Sequence, residues 1–304
     1  MKSLKKVLVA AFAAVTLLAM TACSAYSPAK EYKNVELNGL KLDIRSDMKF
    51  DNTNTDASGN KVEQYYCDYF GVTVTSEPAA AFKQSGCKSV SDYLNAVIDT
   101  NKLDSKVETS GDKVFIDYKS TVKDIEFAYT AYGLELGYNY YMVQFFAKSG
   151  EEDMYRDEYI KIVDSVELAE IPAETKEIIV NGVKMTVGGD VEQLNAQQYF
   201  GADYFVSALI DDYNKAAEKY AEAVIRENGL VTEDGQTPAV TTSEDGVASF
   251  EAFYDNQYVY YYFKSVDFKS IDNKIVYIVF GTTEAADDTL KAEFAEIAKG
   301  ASVA

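Results

Sequence analysis

An internal repeat is the strongest constraint in this sequence, because a chain written twice from one pattern needs one fold to explain both halves. Residues 33–44 (KNVELNGLKLDI) align with 176–187 (KEIIVNGVKMTV). Four of the twelve positions are identical, and Val35, Leu37, Leu40, Leu42 and Ile44 all meet apolar counterparts. An Asn-Gly pair between alternating apolar runs predicts a two-stranded hairpin in each copy. A second match, 93–103 (YLNAVIDTNKL) against 220–230 (YAEAVIRENGL), has six of eleven positions identical. Val90, Leu94, Val97 and Ile98 follow the spacing of one helix face. Ser89, with Asp92 three residues on, reads as the N-cap, and Gly229 as a left-handed stop for the second helix.

Each helix is followed by three strand-like runs, 114–118, 125–132 and 138–147 in the first copy and 247–254, 257–265 and 274–281 in the second. A closing helix ends each half. Tyr155, Tyr159, Ile162, Val163 and Val166 recur as Leu290, Phe294, Ile297, Ala298 and Ala301 at a common offset of 135. The chain therefore reads as two tandem α+β domains, 33–168 and 176–304, joined by a Pro-containing linker at 169–175. The copies diverge between hairpin and first helix. There copy one predicts an extended run from Val62 to Ser76, and copy two a helix from about Asp190. Tyr69-Phe70-Gly71 and Tyr199-Phe200-Gly201 look like a shared remnant. All four prolines, Pro28, Pro78, Pro172 and Pro238, fall outside the expected elements, as a residue without an N–H requires.

The first 22 residues carry Lys2, Lys5 and Lys6 and then an apolar run from Val7 to Ala19. That is the form of a signal peptide, too short to span a bilayer comfortably. The following Met20-Thr21-Ala22-Cys23-Ser24 resembles the lipobox of bacterial lipoproteins, with Met20 in place of the more usual Leu. The resemblance implies cleavage before Cys23 and lipidation of its thiol. Residues 23–32 then form a tether, which would span roughly 30 Å if fully extended. Cleavage removes three lysines and no acid. The mature chain has 26 basic against 49 acidic residues, a charge of −23. Such a body is repelled by anionic lipid, so anchoring rests on the acyl chains. The same balance excludes nucleic acid as a partner, since phosphate binding needs clustered Lys and Arg.

The order of hairpin, helix, antiparallel strands and closing helix, with runs such as YYMVQFFA (140–147) and EYIKIVDSV (158–166), resembles the PsbP/Mog1-like family. The resemblance implies an α/β/α sandwich in each half. It also implies accessory or binding work, because known members assist larger complexes. No binding motif of the family maps onto individual residues of this chain.

Few residues point to chemistry. The chain has no His, and so lacks the commonest general base and zinc ligand. It has no phosphate-binding, dinucleotide, zinc-protease or serine-hydrolase motif. Asn54, Asp56, Ser58 and Asn60 alternate before and after Gly59, as in the opening of an EF-hand loop. Yet Asn replaces the first Asp, and Tyr65 stands where a bidentate Glu is required, so the segment reads as a polar turn and no metal or other cofactor is expected. Cys67 and Cys87 are either a disulfide, worth roughly 3 kcal/mol, or two thiols. Copy two lacks the pair, so the fold does not depend on it. The tyrosine-rich runs 138–141 and 258–263 read as strand residues filling two covered faces rather than as a binding row. Acidic doublets occur at 151–152, 211–212 and 287–288, and Glu152-Asp153 and Asp287-Asp288 read as charges that complement the starts of the closing helices.

The resulting expectation is a non-enzymatic, membrane-anchored extracytoplasmic lipoprotein that acts as a binding or accessory module with an envelope protein partner. A solute-binding lipoprotein is the first alternative, and would need parallel βαβ lobes about one cleft. A surface hydrolase using paired carboxylates is the second.

Overall fold

The computed structural model describes residues 26–55, 61–122, 124–212, 216–266 and 274–304. The chain divides into two compact units, Met1–Pro172 and Ala173–Ala304. In the first unit the order is β1 (Tyr32–Leu37), β2 (Leu40–Arg45), β3 (Lys49–Thr55), β4 (Lys61–Tyr66), β5 (Phe70–Pro78), α1 (Ala79–Lys83) and α2 (Val90–Asn101). It continues with β6 (Val107–Ser110), β7 (Lys113–Val122), β8 (Ile125–Leu136), β9 (Asn139–Lys148), α3 (Arg156–Asp164) and β10 (Glu167–Leu168). The second unit holds β11 (Thr175–Val180), β12 (Val183–Gly188), β13 (Glu192–Asn195), β14 (Gln198–Phe200), β15 (Phe205–Asp212) and α4 (Ala217–Asn228). It ends with β16 (Thr241–Thr242), β17 (Ala248–Tyr254), β18 (Gln257–Val266), β19 (Lys274–Thr282), α5 (Asp288–Gly300) and β20 (Ser302–Val303).

Both units are α+β and share one topology. A seven-stranded sheet runs β3-β4-β5-β9-β8-β7-β6 in the first and β13-β14-β15-β19-β18-β17-β16 in the second. A three-stranded sheet accompanies each, β1-β2-β10 and β11-β12-β20. Every pairing between described strands is antiparallel. The two Asn-Gly turns form as expected, with positive φ at Asn38, Gly39, Asn181 and Gly182, the geometry of a tight two-residue hairpin turn. Each turn asparagine also ties its hairpin to the large sheet, Asn38 Nδ2 donating to Val74 O (3.1 Å) and Asn181 Nδ2 to Ala208 O (2.7 Å).

The hairpin and the closing helix cover one face of each large sheet. In the first unit Leu37, Leu40, Leu42 and Ile44 pack with Val72, Val143, Phe145, Tyr159 and Ile162. In the second, Val180, Val183, Met185 and Val187 pack with Val206, Ile278, Phe280, Phe294 and Ile297. At the centre of both cores a closing-helix ring stacks on a ring of the central strand. Tyr159 lies on Phe145 at 4.3 Å and 11°, and Phe294 on Phe280 at 4.2 Å and 8°. The offset of 135 carries one pair onto the other. Burying each ring contributes roughly 1.5–3 kcal/mol, and the stacking adds about 0.5–1.5 kcal/mol. The opposite face is covered by α2, through Tyr93, Leu94 and Val97, and by α4, through Ala217, Ala221 and Ile225. Ser89 caps α2 by accepting from Asp92 N, and Gly229 ends α4 at φ 60°. The lysine at the matching position, Lys102, takes the same left-handed conformation at φ 54°.

Three expectations are corrected. The helix from about Asp190 does not form. Residues 192–212 instead give β13, β14 and β15, because Val206 and Ala208 are buried at a spacing of two while Leu209 is exposed, the period of a strand rather than a helix. The two Tyr-Phe-Gly runs are not equivalent: Phe70 opens β5, whereas Phe200 ends β14. The true counterpart of Gly71 is Phe205. Gly71 pairs with Phe146 and Phe205 with Gly281, the same cross-strand Gly–Phe pair with its members exchanged. A Cβ on Gly71 would lie 2.0 Å from Phe146 Cζ, and one on Gly281 1.9 Å from Phe205 Cζ. Finally, Pro78 closes β5 rather than lying outside the elements. Ala79 N–H bonds Tyr138 O on the β9 side at 2.9 Å, so the nitrogen of Pro78 faces the opposite edge, where the pairing of β4 has already ended at Thr73.

Two predictions follow from the paired cores. Gly71→Ala destabilises the first unit by about 1–3 kcal/mol through overpacking. The exchanged double variant Gly71→Phe/Phe146→Gly is more stable than Gly71→Phe alone; urea denaturation showing no such recovery contradicts the equivalence. Among the described residues the buried Tyr159 hydroxyl has no hydrogen-bond partner, where copy two has Phe294. Tyr159→Phe therefore raises stability by roughly 1 kcal/mol, read as an increased Tm, and a decrease would show that the hydroxyl contributes.

Candidate functional site

In the first unit a hollow of about 460 Å³ opens beside β7, with Asp117, Lys119, Tyr129, Glu152, Asp153 and Arg156 in its lining. Asp117 and Lys119 share a strand face because they stand two apart on β7, and Arg156 is the first residue of α3. The guanidinium grips Asp117 through Nη1–Oδ1 at 3.2 Å and Nη2–Oδ2 at 2.7 Å. Thr130 Oγ1 adds a hydrogen bond to Asp117 Oδ1 at 2.6 Å. Burial pulls the Arg156 pKa down, but the bonds and charge of Asp117 outweigh it and hold the guanidinium above its ordinary range. The result is a mixed-charge depression suited to polar recognition.

A second cluster centres on Glu158, which is 1% exposed. Its carboxylate accepts Tyr26 OH at 2.9 Å, Tyr32 OH, and the Ala29 amide at 3.4 Å. Beside it Arg45, 4% exposed, binds Asp47 through Nε (3.0 Å) and Nη2 (2.8 Å) and donates from Nη1 to Ser27 O at 3.0 Å. The guanidinium also lies over the Tyr69 ring at 5.0 Å and the Tyr26 ring at 5.9 Å, which contributes cation–π attraction. Hydrogen bonding to Arg45 lowers the Asp47 pKa. Burial and Glu158 push the Tyr32 hydroxyl up to about 12 and raise that of Tyr26 further.

In the second unit two hollows of about 470 and 280 Å³ both reach Thr232 and Glu251. Glu251 is bridged by Lys291 at 2.7 Å, and the same ammonium sits 5.6 Å from the Tyr260 ring centre. Glu293, which the offset of 135 pairs with Glu158, accepts Tyr204 OH at 3.2 Å. Burial, with Asp190 and Asp203 adding to it, raises the Glu293 pKa against the lowering effect of that bond.

The residues singled out from sequence fare differently. Cys67 and Cys87 are free thiols, so the disulfide alternative is not realised. Cys67 belongs to the core beneath the hairpin. Cys87 accompanies α1 on the other face, its amide bonding Phe82 O. Burial raises both thiol pKa values. Asn54 lies in β3, while its side chain and Asp56, Ser58 and Asn60 fall outside the described residues, as does Cys23. Among the described residues no group of three or more Cys, Asp or Glu side chains is placed to hold a metal ion. Tyr140, Tyr141, Tyr260 and Tyr262 are buried, as packing rings should be. Asp287 caps α5 by accepting from Leu290 N at 2.8 Å, whereas Asp211 and Asp212 end β15 and start no helix. Sequence reasoning missed Arg45, Arg156 and Glu158. The available signal was scarcity: Arg occurs three times among 29 basic residues, and planar bidentate pairing is what Arg does and Lys does not.

No family model and no curated protein matches the chain. Among solved structures, the immunity protein TplEi of the T6SS from Pseudomonas aeruginosa aligns at 6% identity and a TM-score of 0.23, covering 90% of this chain and 97% of that one. DynU16 of the dynemicin biosynthetic locus aligns at 8% identity and 0.18, covering 77% and 96%. The di-domain ARO/CYC BexL from the BE-7585A biosynthetic pathway aligns at 10% and 0.16, covering 75% and 93%. Scores this low carry no inference about fold or activity.

Proposed function

We propose that this protein is a membrane-anchored extracytoplasmic lipoprotein whose two PsbP/Mog1-like domains serve as a non-catalytic binding or accessory module. The observation that carries the reading is the N-terminal order: a lysine-led apolar run, Cys23 in a lipobox-like setting, and a domain whose first strand opens at Tyr32. The hairpin, the seven-stranded antiparallel sheet and the helices on both of its faces, repeated in each unit, support the PsbP/Mog1-like assignment. Antiparallel pairing throughout the described strands argues against the parallel lobes of a solute-binding lipoprotein. The charged hollows support recognition of a polar surface on an envelope partner. Their cations already hold carboxylates, Arg156 with Asp117 and Lys291 with Glu251, so they favour hydrogen-bonded contact over capture of a small anion.

Cys23→Ala should move the protein from the membrane fraction to the soluble fraction without changing its Tm. Undiminished membrane retention of that variant would refute lipid anchoring. Crosslinking in intact envelopes should give one discrete adduct with the acylated chain and none with Cys23→Ala; identical adduct patterns would reject a membrane-bound partner.

A further inference from the structure

The segment between the anchoring cysteine and the first strand is read from sequence as a tether, yet from Tyr26 onward it is docked. Residues 26–31 form no helix or strand. Even so, the Tyr26 ring packs edge-on against Tyr69 (5.3 Å, 89°) and Tyr155 (5.0 Å, 69°). Its hydroxyl, the Ala29 amide and the Tyr32 hydroxyl all converge on Glu158, and Arg45 holds Ser27 O.

These contacts are costly to lose. A carboxylate as deeply buried as Glu158 is tolerated only when its lone pairs are satisfied. All three of the hydrogen bonds described come from residues 26–32. Segment and domain therefore depend on each other. The second unit offers an internal comparison: its matching carboxylate, Glu293, is exposed and takes its tyrosine, Tyr204, from the β14–β15 turn of the same unit. The docked strap is an addition to the copy that follows the anchor.

We propose that this strap sets the standoff from the membrane, leaving only Ser24 and Ala25 between acylated Cys23 and the docked Tyr26, so that the half-buried Tyr26–Tyr69 corner of domain 1 lies against the bilayer. The proposal rests on acylation at Cys23. Three peptide steps reach about 10 Å, whereas the nine steps from Cys23 to Tyr32 would reach about 30 Å. The difference matters for a chain of charge −23. At about 10 Å the domain stands near one Debye length of the headgroups, and at about 30 Å it stands well beyond their field. The strap thus enforces an approach that electrostatics on an anionic surface opposes.

The chain contains no Trp, so Met154→Trp supplies a single donor. Met154 is 52% exposed and adjoins Tyr155. The acylated full-length variant is reconstituted into phosphatidylcholine vesicles carrying a dansyl headgroup acceptor, and energy transfer from the new Trp is measured. Strong transfer is expected. A ten-residue Gly-Ser insertion after Ala25, which leaves the strap intact and adds about 17 Å of mean reach, should lower it by about threefold or more. Tyr26→Ala should lower it in the same direction while circular dichroism confirms a folded chain. Weak transfer in the parent, equal to that of the insertion variant on vesicles that still float with bound protein, would overturn the strap. Protein that fails to float with the vesicles at all overturns the anchoring on which the strap depends, and the two failures are read separately.

Discussion

Each unit is organised around one aromatic stack between the closing helix and the central strand of the large sheet, Tyr159 on Phe145 and Phe294 on Phe280. The stack fixes which helix face turns inward. That in turn sets where the hairpin lies, because Leu40, Leu42 and Ile44 fill the space the helix leaves open on the same sheet face. After the helix, two further residues return to the hairpin, with β10 pairing to β2 and β20 to β12. Hairpin, helix and sheet are thus closed into one core by contacts distant in sequence. Few of them are local, so the interaction that joins helix to strand carries unusual weight.

Much of this was legible in the sequence for a physical reason. Asn-Gly turns, a Ser cap and an apolar stripe at helical spacing are local signals that act through backbone geometry. They predicted the hairpins, α2, α4 and the strands β7–β9 and β17–β19. What failed was less local. The segment after Asp190 reads as helical in isolation, and only the pairing of β15 with β19 reveals the period of two. The Gly–Phe exchange between Gly71/Phe146 and Phe205/Gly281 hides from linear alignment, since neither position is conserved in type between the copies although the pair is. Packing conserves the filled volume, and the sequence records only where each half of it came from.

The candidate surfaces were harder to foresee. Asp117 and Arg156 stand 39 positions apart, and Tyr26 and Glu158 stand 132 apart; no spacing rule joins them. Both sites share one physical logic. A charge on one element is met by a partner from another, half-exposed at Asp117 and Arg156 and deeply buried at Glu158. In the first unit that requirement draws the N-terminal segment onto the domain, which converts a nominal tether into part of the fold.

The same central stack secures both units. Amide hydrogen exchange of the full chain tests it most directly. The slowest-exchanging amides should fall on β9 and β19 about Phe145 and Phe280 and on α3 and α5 about Tyr159 and Phe294, in both units alike. Protection concentrated instead on the outer strands β6–β7 and β16–β17, or maximal under α2 and α4 while the closing helices exchange early, would contradict it.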